Sequence, residues 1–477
     1  MLSNRRLRCM RGLHLQVVSE ELLEAVVQHP GLKVINMADC SLFVNFVNGK
    51  RSVASIVSID SNLLADVIAK TEDVRINMKS SKSLSTEQAG VIFQRISTGS
   101  SLKKFQLNFT SLRSLPSHLL ARSLCQLESV ELENTSLTSH QLETLFNEMK
   151  SNSKLLHLDL SDNPLSDVNP ITMVSSLCRL ESLSLAKTSL STQQLNILCS
   201  TWAQSTPSLK HLDLSRNDLS PVPAKHLADI ALHMESLDMS HAKLTSEQAN
   251  DLCTAVGHSR NLTSFDLSYN NLSHVNWLVI QRLVAKVEKA VLDLTELTHT
   301  LTWRLFEGLP SSKIKVLSIA GVDLSAVEAD HFGRMVAQLE EVNLEGTRLT
   351  PEQTVAIFAS LDDPSNLHTL KIGGNKLSCV APDQMARAVN KLKVASMDMS
   401  VSITPPGLGQ WLELTVIERL TFEQLLAVLT KSLEGTLLTS LKIGPVLNEA
   451  RLKHETEVID KATNAIKDLI IVKDGKW

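Results

Sequence analysis

The chain has 477 residues, more than one ordinary compact core holds, so it folds as several domains or as an elongated array whose members pack only on their neighbours. Hydrophobic residues are 43% and charged residues 21%, which excludes a disordered chain, and aromatics are only 4%, so the core must be aliphatic. A net charge of −4 gives no global attraction to nucleic acid or to an anionic membrane.

Seven cysteines (Cys9, Cys40, Cys125, Cys178, Cys199, Cys253 and Cys379) are scattered, odd in number and without a Cys-x-x-Cys pair. They read as small buried apolar residues in a reducing compartment. No apolar run reaches the length of a membrane-spanning helix. The basic start "MLSNRRLRCMRGLHL" lacks a long apolar stretch, so a signal peptide is not expected and the cytoplasm is. The Asn-x-Ser/Thr triplets at Asn108, Asn134, Asn261 and Asn271 are then chance occurrences.

Residues 1–73 read as an N-terminal cap and an irregular first repeat. From residue 74 to 447 the template L-x-x-L-x-L-x-x-N-x-L recurs. It fits at Leu155, Leu158, Leu160, Asn163 and Leu165, and again at Leu209, Leu262 and Leu367. This is the leucine-rich repeat pattern. Counting on the third apolar position gives Met37, Met78, Leu107, Leu132, Leu160, Leu185, Leu214, Met239, Leu267, Leu294, Ile319, Leu344, Ile372 and Met399, with a terminal member at Ile443. The step from Leu107 to Leu132 is shorter than the step from Leu132 to Leu160, and short and long steps go on alternating to Leu267, so the true period is a pair.

The two members of the pair differ. One reads "SDNPLSDV" or "SRNDLSPV", a sharp turn of Asn, Pro and Ser. The other reads "KTSLSTQQL" or "GTRLTPEQT", with a Ser or Thr N-cap followed by Glu or Gln before an apolar run. Each repeat should give a short strand and a helix on the opposite face. The expected product is an α/β leucine-rich repeat solenoid of the ribonuclease-inhibitor-like kind, with a parallel sheet inside the bend and helices outside. Three residues past each third apolar position stands Asn or Thr: Thr110, Thr135, Asn163, Thr188, Asn217, Asn270, Thr347 and Asn375. A polar group buried at a turn must be hydrogen-bonded, so the column reads as a structural ladder to the next turn. Apolar Ala242, Leu297 and Val322 in that column imply looser turns.

The pattern breaks at three places. Met37 to Met78 carries extra length around "FVNFVNGKRSVASIVSIDSN". "LTELTHTLTW" replaces the usual turn near Leu294. The stretch from Met399 to Leu414 is too short for a whole repeat. Residues 448–477 leave the repeat and read as a C-terminal amphipathic helix with Val458, Ala462, Ile466 and Leu469 on one stripe. That stripe either caps the array or meets a partner helix, as in a homodimer.

No phosphate-binding glycine loop, metal-binding His-Glu-x-x-His or nucleophile elbow is present, so no catalytic residue, cofactor or metal is assigned. One column bears on function. The residue between the second and third apolar positions faces the open side of the sheet: Glu131, Asp159, Asp213, Asp238, Asp266, Asp293 and Asp398. It is either a solvated strand residue or an acidic stripe for a basic partner segment. Carboxylates on separate parallel strands do not converge on a metal.

The stretches "LHLDLSDNPLSD", "LESLSLAKTSLSTQQLNIL", "LKHLDLSRNDLS" and "IKVLSIAGVDLS", with the tail "TFEQLLAVLTKSLEGTLLTSLKIGPVLNEARLKHETEVIDKATNAIKDLI", resemble the repeat region of the CARMIL family of actin capping-protein regulators. The resemblance covers about Val74 to Ile470. It implies a repeat scaffold in actin regulation at the cytoskeleton or cell cortex. On this reading the sequence is expected to lack that family's PH-like membrane module and its capping-protein-binding tail. The expected function is thus a non-enzymatic scaffold for protein partners, in an actin-regulatory setting. The alternative is a cytosolic binder or inhibitor of the ribonuclease-inhibitor type, or a general adaptor.

Overall fold

The computed structural model describes residues 32–38, 41–46, 60–77, 84–204, 208–361, 365–392, 394–396, 410–414, 438–443 and 468–471. They fall in two compact units, divided between Lys243 and Leu244. The fold is the leucine-rich repeat α/β solenoid that the spacing implies.

In the first unit, β1 (Leu32–Ala38) and β2 (Ser41–Phe46) form an antiparallel hairpin. This hairpin accounts for part of the extra length near the start. β1 then pairs in parallel with β3 (Asp73–Asn77). β4 (Lys104–Asn108), β5 (Ser129–Glu131), β6 (His157–Asp159), β7 (Ser182–Ser184), β8 (His211–Asp213) and β9 (Ser236–Asp238) follow in chain order, each parallel to the last. In the second unit β10 (Ser264–Asp266), β11 (Lys289–Val291), β12 (Val316–Ser318), β13 (Glu341–Asn343), β14 (Thr369–Lys371) and β15 (Val394–Ser396) do the same. β16 (Gln410–Leu414), β17 (Leu438–Ile443) and β18 (Asp468–Ile471) make a separate parallel sheet.

The central residue of the short strands points inward, as strand alternation requires. Leu158, Leu183, Leu212 and Leu237 are buried with Leu160, Leu185, Leu214 and Met239 behind them. Full burial of each such side chain is worth about 1.5–3 kcal/mol. The few aromatics fill wider gaps between strand and helix and between neighbouring helices. Phe93 meets Phe105 edge-on at 5.8 Å, and Phe306 meets Phe332 at 4.7 Å.

Strand register corrects the repeat count at three places, each by two residues. Ile76 pairs with Leu107, so Ile76 is the third apolar residue there, and Met78 lies outside the described residues. Asp266 pairs with Val291, which puts Leu292 beside Leu267. Leu292 is fully buried, whereas Leu294 is 45% exposed. Lys371 pairs with Ser396, so the open-face position belongs to Ser396, and Asp398 lies outside the described residues. In "DVRINM", "AVLDL" and "ASMDM" apolar residues alternate past the strand end. A two-residue slip keeps every side chain on its proper face, so periodicity cannot detect it.

Of the expected C-terminal helical stripe, Val458, Ala462 and Ile466 lie outside the described residues. Leu469 lies instead in strand β18, paired with Leu441. Its neighbours explain this: "LIIV" is a continuous apolar, β-branched run, which suits a strand covered on both sides. Leu414 pairs with Ile443 and Ile443 with Ile471, at steps matching the longer step of the upstream pair, so the repeat spacing resumes where the sequence had implied its end.

The two forms of the repeat are two backbone turns. Coils of the Asn form place one residue in the left-handed region: Asp162 at φ 57°, Arg216 at 58°, Tyr269 at 59° and Gly374 at 73°. The coils with Thr110 and Val322 do likewise, at Phe109 and Gly321. Coils of the Thr form place two there, one residue apart: Asn134 and Ser136, Lys187 and Ser189, Leu294 and Glu296, Gly346 and Arg348. The second left-handed residue swings the chain into its helix sooner. Ser139–Asn152 has 14 residues, whereas Pro170–Leu177 in the next coil has 8.

The ladder is asymmetric. Asn163 Nδ2 donates to Leu132 O in the preceding coil at 2.7 Å and to Leu160 O in its own at 3.1 Å. Its Oδ1 accepts from Thr135 N and Leu137 N. Asn375 repeats this with Leu344 O and Leu349 N. Asn thus ties its coil to the previous one and not to the next. Thr closes its own turn: Thr188 Oγ1 donates to Leu185 O, and Thr347 Oγ1 to Leu344 O, while Thr135 Oγ1 also lies 3.2 Å from Asn163 Oδ1 of the following coil. Thr110 is no rung of the ladder: its buried Oγ1 has no hydrogen-bond partner. At the slipped coil the ladder residue is the buried Thr295, bonded to Leu292 O; Leu297 belongs to the core. Ala242 does not loosen its turn. His241 and Lys243 keep φ of 53° and 52°, because an alanine there leaves no polar atom to satisfy.

A further tie is the Gln of the helix start. Gln194 Oε1 accepts from Ser191 N, and its Nε2 donates to Leu165 O and Val168 O of the preceding coil, both at 2.7 Å. Gln141 and Gln353 bond their preceding coils in the same way.

Removing Asn163 orphans acceptors and donors in two coils. Asn163→Ala is expected to lower stability by about 2–4 kcal/mol, and Thr188→Ala by about 1 kcal/mol, in urea unfolding midpoints. A second expectation concerns Asn196, whose Oδ1 is buried without a partner. The equivalent Asn250 Oδ1 accepts from Asn276 N, and Glu143 from Asn169 N. Opposite Asn196 stands Pro223, which has no N–H and gives its helix no side-chain cap. Pro223→Asn should supply both bonds and raise the unfolding midpoint by the equivalent of about 1 kcal/mol.

Candidate protein-binding face

Two residues of each short strand flank the buried one and stand on the open side of the sheet. In the first unit, Arg75, Gln106, Glu131, Asp159, Ser184, Asp213 and Asp238 lie side by side on successive strands. The strand register therefore brings together four of the expected acidic residues, with Ser184 between Asp159 and Asp213. Two positions earlier, His157 and His211 share the same face, a pairing hidden in the sequence because a full pair of repeats separates the two histidines.

In the second unit the acidic column is short. Asp266 is followed by Val291, Ser318, Asn343 and Lys371. Asp293 is not in the column. It sits past the strand end, where its Oδ1 accepts from Ser318 Oγ and Ala320 N, both at 2.7 Å. It fastens the next turn.

The column aspartates have a structural task that sequence reading missed. Oδ1 of Asp159, Asp213, Asp238 and Asp266 accepts from the N–H of the serine two residues on, each at 2.8 Å. This is an Asx turn at the strand exit, and the recurrent "D-x-S" is its signal. Burial raises the Asp159 carboxyl above its usual range, opposed by the Ser161 bonds and reinforced by Asp213. Burial and then Asp159 raise Glu131, while Arg75 opposes. The column is thus crowded with like charge and partly desolvated, a state that a cation relieves.

At the strand-exit edge of the second unit two apolar side chains are exposed, Tyr269 at 49% and Leu294 at 45%. Leu294 lies over Gly321: a Cβ on that glycine would fall 2.2 Å from Leu294 Cδ2 and 2.9 Å from Cγ.

Among the described residues no three His, Cys, Asp or Glu side chains gather as a metal site. Cys125, Cys178, Cys199, Cys253 and Cys379 are free, and burial pushes Cys199 and Cys253 up to about 12. Among the described residues no helix is long and apolar enough to cross a membrane.

A family model described as Leucine Rich repeat matches residues 151–168, 206–225 and 258–274. The chain carries leucine-rich repeats. The three matched stretches hold Asn163, Asn217 and Asn270, the coils with a single left-handed turn residue. A ribonuclease inhibitor of Sus scrofa is 27% identical over 296 residues, 59% of this chain and 60% of that protein. A ribonuclease inhibitor of Mus musculus is 25% identical over 300 residues, 60% of each. NACHT, LRR and PYD domains-containing protein 14 of Homo sapiens is 36% identical over 159 residues, 31% of this chain and 14% of that protein. The chain thus spans about 60% of the length of the two inhibitors.

Gly321 combines a φ of 70° with the Leu294 side chain above it. Gly321→Ala is expected to cost about 1–2 kcal/mol, and part of that loss should disappear in a Leu294→Ala background, read from unfolding midpoints of the two single variants and the double.

Proposed function

We propose that the chain is a non-enzymatic scaffold that holds a protein partner against its open sheet face. The acidic column of the first unit selects a partner with a cationic surface. The observation that carries this is the alignment of Glu131, Asp159, Asp213 and Asp238 along one run of parallel strands, interrupted by Ser184, on the exposed side, with Glu131 and Asp159 partly desolvated. A rigid sheet offers these groups with little ordering cost on binding. Matching charge on the partner raises the association rate and fixes its register.

The relatives named ribonuclease inhibitor support a binder or inhibitor of that type. They favour it over the CARMIL-like reading, with its actin-regulatory partners and cortical location, for which they give no support. Cytoplasmic residence fits the free cysteines.

The test is binding of the whole chain to pancreatic ribonuclease and to an oligolysine peptide, measured by calorimetry at several salt concentrations. Affinity should fall steeply with salt, and the double variant Asp159→Lys/Asp213→Lys should bind at least about tenfold more weakly. Equal affinity of the variant and the unchanged chain for both probes would refute the assignment of this face.

A further inference from the structure

The middle of the acidic column contains a continuous string of four side chains on three neighbouring strands and one strand exit. Asp159 Oδ1 lies 2.5 Å from Ser161 Oγ. Ser161 Oγ lies 2.8 Å from Ser184 Oγ, and Ser184 Oγ lies 2.9 Å from Asp213 Oδ2. All three are hydrogen-bond distances between oxygens.

Each such contact needs one proton between its two oxygens. Two serine hydroxyls supply two. With both carboxylates ionised, the two hydroxyls point outward to Asp159 and Asp213, and lone pairs face each other between Ser161 and Ser184. One further proton completes the string in a single direction. Protonated Asp159 then donates to Ser161, Ser161 to Ser184, and Ser184 to ionised Asp213. The reverse direction serves as well, so the proton belongs to the pair.

We propose that Asp159 and Asp213 share one proton through Ser161 and Ser184, which makes the charge of the acidic column depend on pH. The surroundings agree. Burial raises the Asp159 carboxyl, and the Asp213 charge adds to it. On the two flanking strands Glu131 stands beside Asp159 and Asp238 beside Asp213, both carboxylates. His157 precedes Asp159 on its own strand, and His211 precedes Asp213 on β8. The neighbouring Lys187 is held by Asp162 at 2.9 Å. On β7 the open-face residues are Ser182 and Ser184, so no cation stands between the two carboxylates on that strand. The bearing of this proton on binding rests on the reading of the open face as the partner surface; the sharing itself does not.

The sign follows from linkage. A carboxyl held protonated by the fold stabilises it at low pH, and that contribution is lost as pH rises through the folded titration. Asp159→Asn keeps an amide oxygen to accept from Ser161 N and leaves no titrating group at this end of the string. Urea midpoints measured from pH 4 to pH 8 should therefore diverge in favour of Asp159→Asn as pH rises. In a Ser184→Ala background the string is cut and Ser161 serves Asp159 alone, so the divergence should shrink. Parallel midpoints of Asp159→Asn and the unchanged chain would overturn the proposal. So would an equal divergence with and without Ser184, which would leave burial as the whole cause. Should Asp159→Asn not fold, the pH profile of Ser184→Ala against the unchanged chain makes the same comparison: the unchanged chain should lose more stability as pH rises, and coincident slopes would overturn the sharing.

Oligolysine binding separates this proposal from the function proposed above. The unchanged chain should bind about two- to fivefold more tightly as pH rises through the transition, and Asp159→Asn should not. Midpoints that diverge as described, with pH-independent binding, would uphold the shared proton and remove the column from the partner surface.

Discussion

Everything in this fold depends on satisfying the backbone and side-chain polar groups at the turn where each strand hands over to its helix. The turn is buried, its backbone includes left-handed residues, and no carbonyl there can be left unpaired without a penalty of a kilocalorie or more. Asn163 and Asn375 meet this demand by reaching back to the preceding coil, each with a carbonyl and an amide on the two sides of one side chain. The leucines supply most of the free energy, but they are interchangeable in kind. The turn polar groups decide where each coil starts and how far it is rotated from the last.

That demand explains why two forms alternate. A coil of the Asn form spends one side chain to bridge backward and needs one left-handed residue. The Thr form closes on itself through its hydroxyl and needs two. Its Gln, where present, then provides the backward connection from the helix start, as Gln194 does to Leu165 and Val168. Each form leaves open the contact the other supplies. The open face inherits its chemistry from the same constraint: the aspartates that give it charge are there first as Asx acceptors for Ser161, Ser215 and Ser240. Placing them on adjacent strands then crowds carboxylates that the turns alone would not have required to interact.

Most of this was legible in the sequence, and the exceptions have one physical origin. The fold class follows from spacing alone, because only a solenoid accommodates so regular a recurrence of buried leucines. The turn ladder was legible at Asn163 because a buried amide has few alternatives. Register was lost at Leu294, Met78 and Asp398, where alternation runs past the strand end and a shift of two residues is invisible to hydrophobicity. Only hydrogen-bonded pairing resolves it. Asp293 consequently left the acidic column, and Val291 took the position beside Asp266. The candidate site was half legible. Charge could be read from the repeated "LDLS", but the placing of His157 and His211 on one face either side of Ser182, and the serine string between Asp159 and Asp213, exist only once the strands are side by side.

The backward reach of Asn163 and of Gln194 also sets the grain at which such a chain can change its length. Excising one coil would set two turns of the same form against each other. Two Asn coils would compete for the same preceding carbonyl geometry, and two Thr coils would meet without an amide between them. Excising or copying a pair restores every contact, since the steps from Leu107 to Leu160 and from Leu160 to Leu214 are nearly equal. The divisible module of this protein is therefore the pair. Variation in length by whole pairs, whether by natural duplication or by design, is the kind that keeps these contacts in the alternating part of the array.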